Sequence, residues 1–270
     1  MEQQFGSFDL YRTTADATGP IASDASLRYR FNLEYLDRNS FRDFAFTDRI
    51  LVAPSLSWNL GDRTQFDLDF FYSDEDTLED HGVPAIGDRP ASIPTTRFLG
   101  EPSTDKSNTE LTYLSATLNH KFNDYWNVRA KFVRFGRDGV DRQHNGIALD
   151  ELTGDLNRVF FGGEATDDSH FGTLDVTGNV TTWGAEHKVL VGWDYYNIDT
   201  EVEASRLLAG SINIFNPLYG ASDIDLPTLQ KNRFIDQRID WTVCISRIRS
   251  LSGTSSMFSV AAATIGPRVI

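Results

Sequence analysis

The sequence has very little cysteine and no long apolar run, and both absences argue against particular classes of protein. Cys244 is the single cysteine among 270 residues, so a disulfide-stabilised scaffold is excluded. No uninterrupted apolar run approaches the roughly 20 residues that a membrane-spanning helix requires. The mean hydropathy of -0.34 also argues against a helical membrane protein.

Basic residues are scarce relative to acidic ones. The chain has 25 Lys and Arg against 39 Asp and Glu, which gives a formal net charge of -14. Because contacts to phosphates need a basic surface, this balance argues against a nucleic-acid partner. Aromatic residues make up 12% of the chain and require burial, which argues against disorder. Two classes remain: an acidic globular protein, or a transmembrane β-barrel whose strands are only half apolar.

Catalytic, metal-binding and targeting signals are missing as well. The five histidines lie far apart in sequence and lack metal-ligand spacing. There is no G-x-S-x-G elbow and no glycine-rich phosphate loop. The acids at residues 74–76 lack EF-hand spacing and are interpreted as part of a solvated external loop. We therefore expect no enzyme activity, no metal site and no cofactor. The N-terminus has no signal-peptide pattern, so the chain is either cytoplasmic or a fragment whose true start lies upstream.

Alternation with a period of two residues dominates what is present. In residues 27–35, every odd position is large and apolar and every even position is charged or polar. A strand places such apolar residues on one face, whereas a helix scatters them. The pattern predicts nine strands, near residues 5–17, 26–36, 49–60, 64–73, 110–122, 126–136, 170–181, 187–197 and 234–242.

The connections between these strands favour a membrane barrel. Short turns alternate with long connections that cover about residues 74–109, 137–169 and 198–233, as in outer-membrane barrels. Strand lengths of about 10–13 residues and aromatic residues near the strand ends also suit a bilayer. Two alternatives stay open. One is a soluble all-β binding module such as a sandwich, and the other is a small outer-membrane porin.

Two loop sequences carry a resemblance to a known family. Residues 82–90 read G-V-P-A-I-G-D-R-P, and residues 97–102 read R-F-L-G-E-P. This resembles an external loop of the TonB-dependent siderophore receptors, the ferrichrome-type receptors of the outer membrane. Residues 187–195 are similar to a strand of the same family, and the resemblance covers about residues 4–242. The residues of the loop motif are Gly82, Pro84, Gly87, Arg97, Phe98, Gly100, Glu101 and Pro102.

The resemblance implies both a fold and a function. The implied fold is all-β, an antiparallel transmembrane β-barrel fragment of about nine strands from a barrel of about 22, with the plug domain absent. The implied function is energy-coupled uptake of ferric siderophores at the outer membrane. The implied partners are a ferric siderophore, a TonB-type energy-coupling protein that acts through the missing plug, and outer-membrane lipid; iron enters only as part of the ligand. Because an open sheet leaves two unpaired edges, we expect the fragment itself to be non-functional.

Candidate ligand-binding residues are aromatic or cationic side chains, since ferric siderophores carry many oxygen acceptors. The candidates are Phe71, Arg97, Phe98, Arg129 and Lys131. An alternative is that residues 97–102 fix the fold of the loop and do not touch the ligand. The sequence does not identify the siderophore.

Residues 243–270 differ in composition from the rest of the chain. They contain no acid, they hold Cys244, and the strand alternation stops. Back-translation with one restored G after codon 242 permits T-G-V-Y-L-Q-D-Q, which resembles the next strand of the same family. We therefore expect residues 1–242 to be a partial outer-membrane barrel and residues 243–270 to be an out-of-frame tail without native structure. A natural divergent terminus is the alternative.

Overall fold

The fold is described from a computed structural model, in residues 1–78, 80–220, 233–250 and 257–269. Within these ranges the chain is built from β-strands, without an α-helix. The strands are β1 (Glu2–Gly6), β2 (Leu10–Pro20), β3 (Leu27–Asn39), β4 (Phe46–Asn59), β5 (Thr64–Thr77), β6 (Ala85–Ile86), β7 (Arg89–Pro90), β8 (Lys106–Lys121), β9 (Trp126–Asp150), β10 (Asp155–Thr182), β11 (Ala185–Asn213), β12 (Arg233–Ser250) and β13 (Met257–Val269). Across the same ranges, no helix has the length and apolar character needed to cross a bilayer.

One large antiparallel sheet contains eleven of these strands. They follow the order β1-β2-β3-β4-β5-β8-β9-β10-β11-β12-β13, so each strand pairs with its neighbours along the chain. The short strands β6 and β7 form a separate hairpin within the connection between β5 and β8. The all-β antiparallel prediction is therefore confirmed. Antiparallel neighbours joined by hairpins are the arrangement of an outer-membrane barrel wall.

The two ends of the sheet differ. At one end, called the turn end, short turns join the strands at residues 21–26, 60–63, 122–125 and 183–184. At the other, called the loop end, the connections include residues 78–105 between β5 and β8. The connection 78–105 agrees with the long connection expected at residues 74–109, and it places residues 82–102 at the loop end.

The long connections expected at residues 137–169 and 198–233 are wrong in extent. Strand β9 continues to Asp150, β10 begins at Asp155, and β11 continues to Asn213. These segments lack the regular apolar alternation of the bilayer-length strands and include several glycines, so the period-two signal ends before the strands do. Their backbone hydrogen bonds are satisfied by cross-strand pairing, for example Gly163 with Asp141 and with Ala204.

The expected strand at residues 5–17 is two strands. Phe8 and Asp9 have positive φ angles of 63° and 53°, and the chain turns there between β1 and β2. Non-glycine residues adopt this conformation rarely, and neither apolar Phe8 nor the surrounding alternation signals a turn.

The two faces of the sheet have opposite character. The apolar face carries large exposed hydrophobic side chains, among them Tyr29, Phe31, Leu56, Phe70, Leu118, Phe132, Leu174 and Val191. The polar face carries a register row of Arg28, Ser57, Asp67, Thr117 and Lys131 across β3, β4, β5, β8 and β9. A lipid-facing exterior and an aqueous interior explain this two-sided pattern.

Residues 243–250 belong to β12, and residues 257–269 form β13, which pairs with β12 from Gln237 with Val269 to Arg249 with Met257. The structure thus gives strands to a segment that we expected to lack native structure. Strand pairing does not report on the reading frame, so the out-of-frame hypothesis stays a prediction about the gene.

Candidate functional site

The five candidate ligand-binding residues lie in two places. Arg97 and Phe98 belong to the connection 78–105 at the loop end, whereas Phe71, Arg129 and Lys131 lie on the polar face of the sheet. Phe71 is a register neighbour of Tyr113, which in turn neighbours Phe135. The structure therefore brings Arg129 and Lys131 together, places Phe71 farther along the same face, and separates all three from Arg97 and Phe98.

The connection 78–105 folds over buried side chains that we call the loop core. Its apolar members are Ala45, Leu78, Ala91, Phe98, Leu99, Leu156, Ile212 and Ile214. Phe98 is only 1% exposed and makes edge-on contact with the Phe44 ring, at a centroid separation of 6.1 Å. The Tyr219 hydroxyl donates a hydrogen bond of 2.9 Å to the Phe98 carbonyl. Phe98 is thus a packing residue in this conformation, as the loop-fold alternative anticipates.

A polar network lies beneath the motif in the loop core. Arg158 donates hydrogen bonds to the carbonyls of Gly100 (2.8 Å) and Gly210 (2.9 Å), and its Nη2 lies 3.8 Å from Glu101 Oε2. The side chains of Arg158 and Glu101 are both fully buried. The Asp105 carboxylate accepts from the Glu101 backbone N–H at 2.8 Å and lies 2.6 Å from His144 Nδ1. Burial strengthens each of these contacts and makes the loss of any one partner costly.

Arg42 fixes the front of the same connection. Its Nε donates to Asp80 at 2.7 Å, and its Nη1 donates to the Thr95 carbonyl and, at 3.4 Å, to the Arg97 carbonyl. The Arg42 side chain is 9% exposed, and the Asp80 carboxylate provides its opposite charge. One side chain thereby ties the β3–β4 connection to both ends of the segment 80–97.

The local geometry of the connection accounts for the residue types of the motif. Gly82 and Gly87 have φ angles of +85° and +63°, which favour glycine. The Pro84 carbonyl accepts a hydrogen bond from Ala91, which shapes the β6–β7 hairpin. A Cβ atom on Gly100 would lie 2.4 Å from Asp105 Oδ2. Glu101 is fully buried, and Pro102 follows it at a half-buried position. The motif therefore builds this connection, whatever else it does.

A groove of about 570 Å³ runs along the polar face toward the turn end. Its lining includes Arg28, Asp67, Asp69, Arg129 and Lys131. Cations on β3 and β9 flank the carboxylates on β5, so the groove presents both charges to solvent. Such a surface binds polar or charged groups rather than apolar ones.

A second charged group on the polar face was not singled out from the sequence. Glu34 accepts hydrogen bonds from Arg49 at 2.6 Å and from Arg12, and Arg49 also contacts Glu75 at 3.1 Å. These residues come from β2, β3, β4 and β5 and form one cluster over two neighbouring register rows. Only strand register brings them together, although each occupies a polar position of the alternating pattern.

The acids at residues 74–76 are not in a loop, which corrects the expectation of a solvated external loop. They end β5, where Glu75 contacts Arg49 and Asp76 contacts Lys106 at 3.0 Å. Within the described ranges, no group of three or more His, Cys, Asp or Glu is arranged to hold a metal ion.

Tyr219 packs against the loop core and lies outside the strands, and the pKa of its hydroxyl is raised. Burial raises the pKa of the Tyr219 hydroxyl, and the nearby carboxylates of Asp43 and Glu101 raise it further, while Arg97 and Arg158 oppose them. The neutral phenol is therefore favoured, which suits a hydroxyl that donates to Phe98.

Sequence reasoning missed Asp105, His144, Arg158 and Tyr219. All four lie outside the loop motif, and the contacts that give them a role span 39 residues between Asp105 and His144 and 121 residues between Phe98 and Tyr219. A charged residue within an otherwise apolar run, such as Arg158 before Val159 and Phe160, is the one signal in the sequence that points to such a role.

No protein-family model matches the chain. The metal-pseudopaline receptor of Pseudomonas aeruginosa is 32% identical over 221 residues, which are 80% of this chain and 31% of the relative. The ferrioxamine B receptor of Salmonella typhimurium is 29% identical over 217 residues, 76% of this chain and 30% of the relative. The chain thus spans about a third of the length of these curated relatives.

Solved structures share the fold of the chain. FpvA of P. aeruginosa, bound to a heterologous pyoverdine and iron, superposes with a TM-score of 0.82 at 16% identity, covering 99% of this chain and 37% of that chain. The closed form of the ferric-catecholate import receptor Fiu of E. coli superposes with a TM-score of 0.76 at 16% identity, covering 98% and 46%. The strand arrangement described above therefore recurs in these two solved structures.

Proposed function

We infer the function of this chain from one premise: it is a barrel segment of the TonB-dependent siderophore receptors of the outer membrane. We propose that the protein to which the segment belongs binds a ferric siderophore at the loop end of the barrel and imports it. An energy-coupling protein of the inner membrane supplies the work through a plug domain. The proposed process is binding followed by gated passage, without bond-making chemistry.

The observation that carries this proposal is the two-faced sheet. The apolar face exposes aromatic and aliphatic side chains over several strands, as a lipid-facing wall does. The polar face carries the charged groove, and its cations are natural partners for the oxygen atoms of a ferric siderophore. A soluble binding module has no comparable reason to expose so many large apolar side chains on one face.

Of the candidate residues, Arg129, Lys131 and Phe71 fit this proposal best because they face the proposed lumen. Arg129 and Lys131 line the groove, and Phe71 lies on the same face of β5 as Asp67 and Asp69. Arg97 and Phe98 would contribute by holding the connection 78–105 in place at the loop end.

A binding measurement tests the proposal. The 270-residue chain is folded in detergent micelles and titrated with ferrioxamine B and with ferripyoverdine, and tryptophan fluorescence reports binding. We expect saturable quenching by at least one iron complex, and weaker binding in an Arg129→Ala, Lys131→Ala double variant. Failure of both iron complexes to bind, with the chain folded, would count against siderophore recognition by this segment. A chain that is monomeric and stable without detergent would favour the soluble binding module.

We also propose that the chain by itself transports nothing, even where it binds an iron complex, and this is the sense in which we expect the fragment to be non-functional. Strands β1 and β13 form the two edges of the described sheet, and coupling acts through a plug. Expression in a Gram-negative strain that lacks its own siderophore receptors provides the test. We expect no growth on ferrioxamine B as the iron source, and growth that depends on the chain would overturn this proposal.

The origin of residues 243–270 is tested at the gene. Sequencing of the genomic locus across codon 243 is expected to show an additional base that restores T-G-V-Y-L-Q-D-Q. A locus that reads as the present sequence, and transcripts that agree with it, would contradict a recording error.

A further inference from the structure

A second cavity opens on the polar face, nearer the loop end than the groove. Its volume is about 280 Å³, and it is lined by parts of β8, β9, β10 and β11. The residues that line it include Arg137, Gly139, Phe161, Ala165 and Val202. None of these residues belongs to the loop motif or to the loop core.

Strand register explains why this part of the wall is hollow. Thr109, Gly139, Ala165 and Val202 are successive register neighbours across the four strands. In the adjacent row, Gly163 lies between Asp141 and Ala204. The floor of the cavity is therefore formed by small side chains and two glycines, whereas bulkier groups stand on either side.

The backbone does not require glycine at position 139. Gly139 has no positive φ angle, and an added Cβ would make only ordinary contacts, at 3.8 Å from the Ala165 carbonyl and 3.8 Å from Arg137 Nη2. A methyl group at this position would therefore fit without displacing its neighbours and would occupy part of the cavity. Neither backbone strain nor crowding therefore explains why position 139 is a glycine. What the missing side chain does is leave space in the cavity.

The walls provide an aromatic surface and a guanidinium, next to the carboxylate of Asp141, which accepts a hydrogen bond from Ser107 at 2.6 Å. The Phe161 ring lies over Gly163, within 3.3 Å of where a Cβ atom would be, and offers an aromatic surface. Arg137 places Nη1 3.5 Å from Asp167 Oδ2, and its Nη2 faces the Gly139 floor. Asp167 thereby orients the guanidinium while leaving donors directed to the cavity.

We propose that this cavity is a subsite for one planar chelating arm of the siderophore, a group with two adjacent oxygen atoms such as a hydroxamate or catecholate. The oxygens accept hydrogen bonds from Arg137, and the carbon skeleton packs against Phe161 and Val202. The inference rests on the proposed function and deepens it. A volume of about 280 Å³ is below the roughly 300–1,000 Å³ of pockets for whole drug-sized ligands, so the cavity suits one arm rather than a complete iron complex.

The test uses benzohydroxamate, which joins a ring to two adjacent oxygens, and benzamide, which lacks the second oxygen. Saturation-transfer NMR measures binding of each to the 270-residue chain in detergent. We expect benzohydroxamate to bind more tightly than benzamide. A Gly139→Leu variant should bind benzohydroxamate about tenfold more weakly, and Arg137→Gln should have an effect of similar size, with partial rescue by Arg137→Lys.

Gly172→Leu is the matched control. Gly172 lies in β10 beside Phe132 on the apolar face, and an added Cβ there meets nothing within 4 Å. Binding by this variant should equal that of the wild type. If Gly139→Leu fails to fold, Gly139→Ala provides a smaller filling of the same space, and Arg137→Gln leaves the floor unchanged.

Equal binding by the wild type and Gly139→Leu would overturn the subsite, and so would the absence of benzohydroxamate binding to the wild type. Ferrioxamine B, titrated against the same variants, separates this failure from that of the proposed function. Binding of ferrioxamine B that Gly139→Leu leaves unchanged rejects the subsite and keeps the receptor. Binding of benzohydroxamate without binding of ferrioxamine B or ferripyoverdine shows that the cavity takes such a group but overturns both its assignment to a siderophore arm and the receptor function.

Discussion

Two arginine–carboxylate pairs, one on the sheet and one in the loop core, differ in how far their charged groups are exposed to solvent. Arg30 lies 2.7 Å from Asp16 on the polar face, with side chains that are 58% and 48% exposed. Arg158 lies 3.8 Å from Glu101 in the loop core, where both side chains are fully buried. Solvent screens the first pair and leaves it little energy to contribute. The second pair has exchanged its hydration for protein contacts, so its partners depend on one another.

The sheet and the loop core are stabilised by different interactions. The sheet is held by backbone pairing and by the contrast between its faces, and single charged residues on its polar face are replaceable. The loop core is a small packed interior in which one residue supports several others. Local changes should therefore have small effects on the polar face and large effects in the loop core.

The largest expected effect is that of Arg158→Met. It leaves Glu101 as a buried charge without its partner and removes the donors to the carbonyls of Gly100 and Gly210, at a cost of about 3–5 kcal/mol. Tryptic cleavage of the Arg97–Phe98 bond reports opening of the loop core, since Phe98 is buried. We expect much faster cleavage in Arg158→Met and little change in Arg30→Met. Equal cleavage rates would show that burial does not distinguish the two pairs.

A second prediction compares the two faces through adjacent residues of the same type. Phe70 is exposed on the apolar face, and Phe71 lies on the polar face of the same strand. Phe70→Arg should lower the free energy of unfolding of the vesicle-inserted chain, by up to about 2–4 kcal/mol, the cost of an arginine at the bilayer midplane. Phe71→Arg should lower the free energy of unfolding by a clearly smaller amount. Urea titration of the vesicle-inserted chain measures both, and equal costs would refute the assignment of the faces.

A third prediction concerns space in the loop core. In Gly100→Ala, the new Cβ would lie 2.4 Å from Asp105 Oδ2 and 2.5 Å from the Phe98 ring, and neither buried group can move freely. We expect a destabilisation of about 1–3 kcal/mol. Gly172→Ala introduces the same methyl group into open space and should be nearly neutral. Tryptic cleavage at Arg97–Phe98 measures the first variant, and similar behaviour of the two variants would contradict the packing described here.

The smallest expected effect is that of Tyr219→Phe. Loss of the hydrogen bond to the Phe98 carbonyl should cost about 1 kcal/mol at neutral pH. Because burial raises the pKa of Tyr219 in the folded state, the unfolded chain releases this proton first as the pH rises. The advantage of the wild type should therefore shrink above about pH 10. Paired thermal melts of the two proteins at neutral and alkaline pH measure the difference, and a constant difference would contradict the perturbed pKa.

Much of the sheet was predictable from the sequence, and the loop core was not. Alternation along residues 27–35 is a local signal, because each strand displays its faces without reference to its partners. The alternation does not predict the outer parts of β9, β10 and β11, because neither face of the sheet needs to be uniformly apolar there. Of the candidate site, the sequence supplied the cations Arg129 and Lys131 and the loop motif. The cavity beside Gly139 depends on register across four strands, which no single strand encodes.

The sequence by itself determined an acidic, two-faced antiparallel β protein with one long connection that carries a family motif. Period-two alternation and the motif are local properties, so they are readable before any contact is known. Only the tertiary structure decided that Arg158 reaches Glu101, that Tyr219 reaches Phe98, and that two glycines adjoin the same cavity. Those contacts join residues that are far apart along the chain, and their energies exist only once folding has removed water from between them.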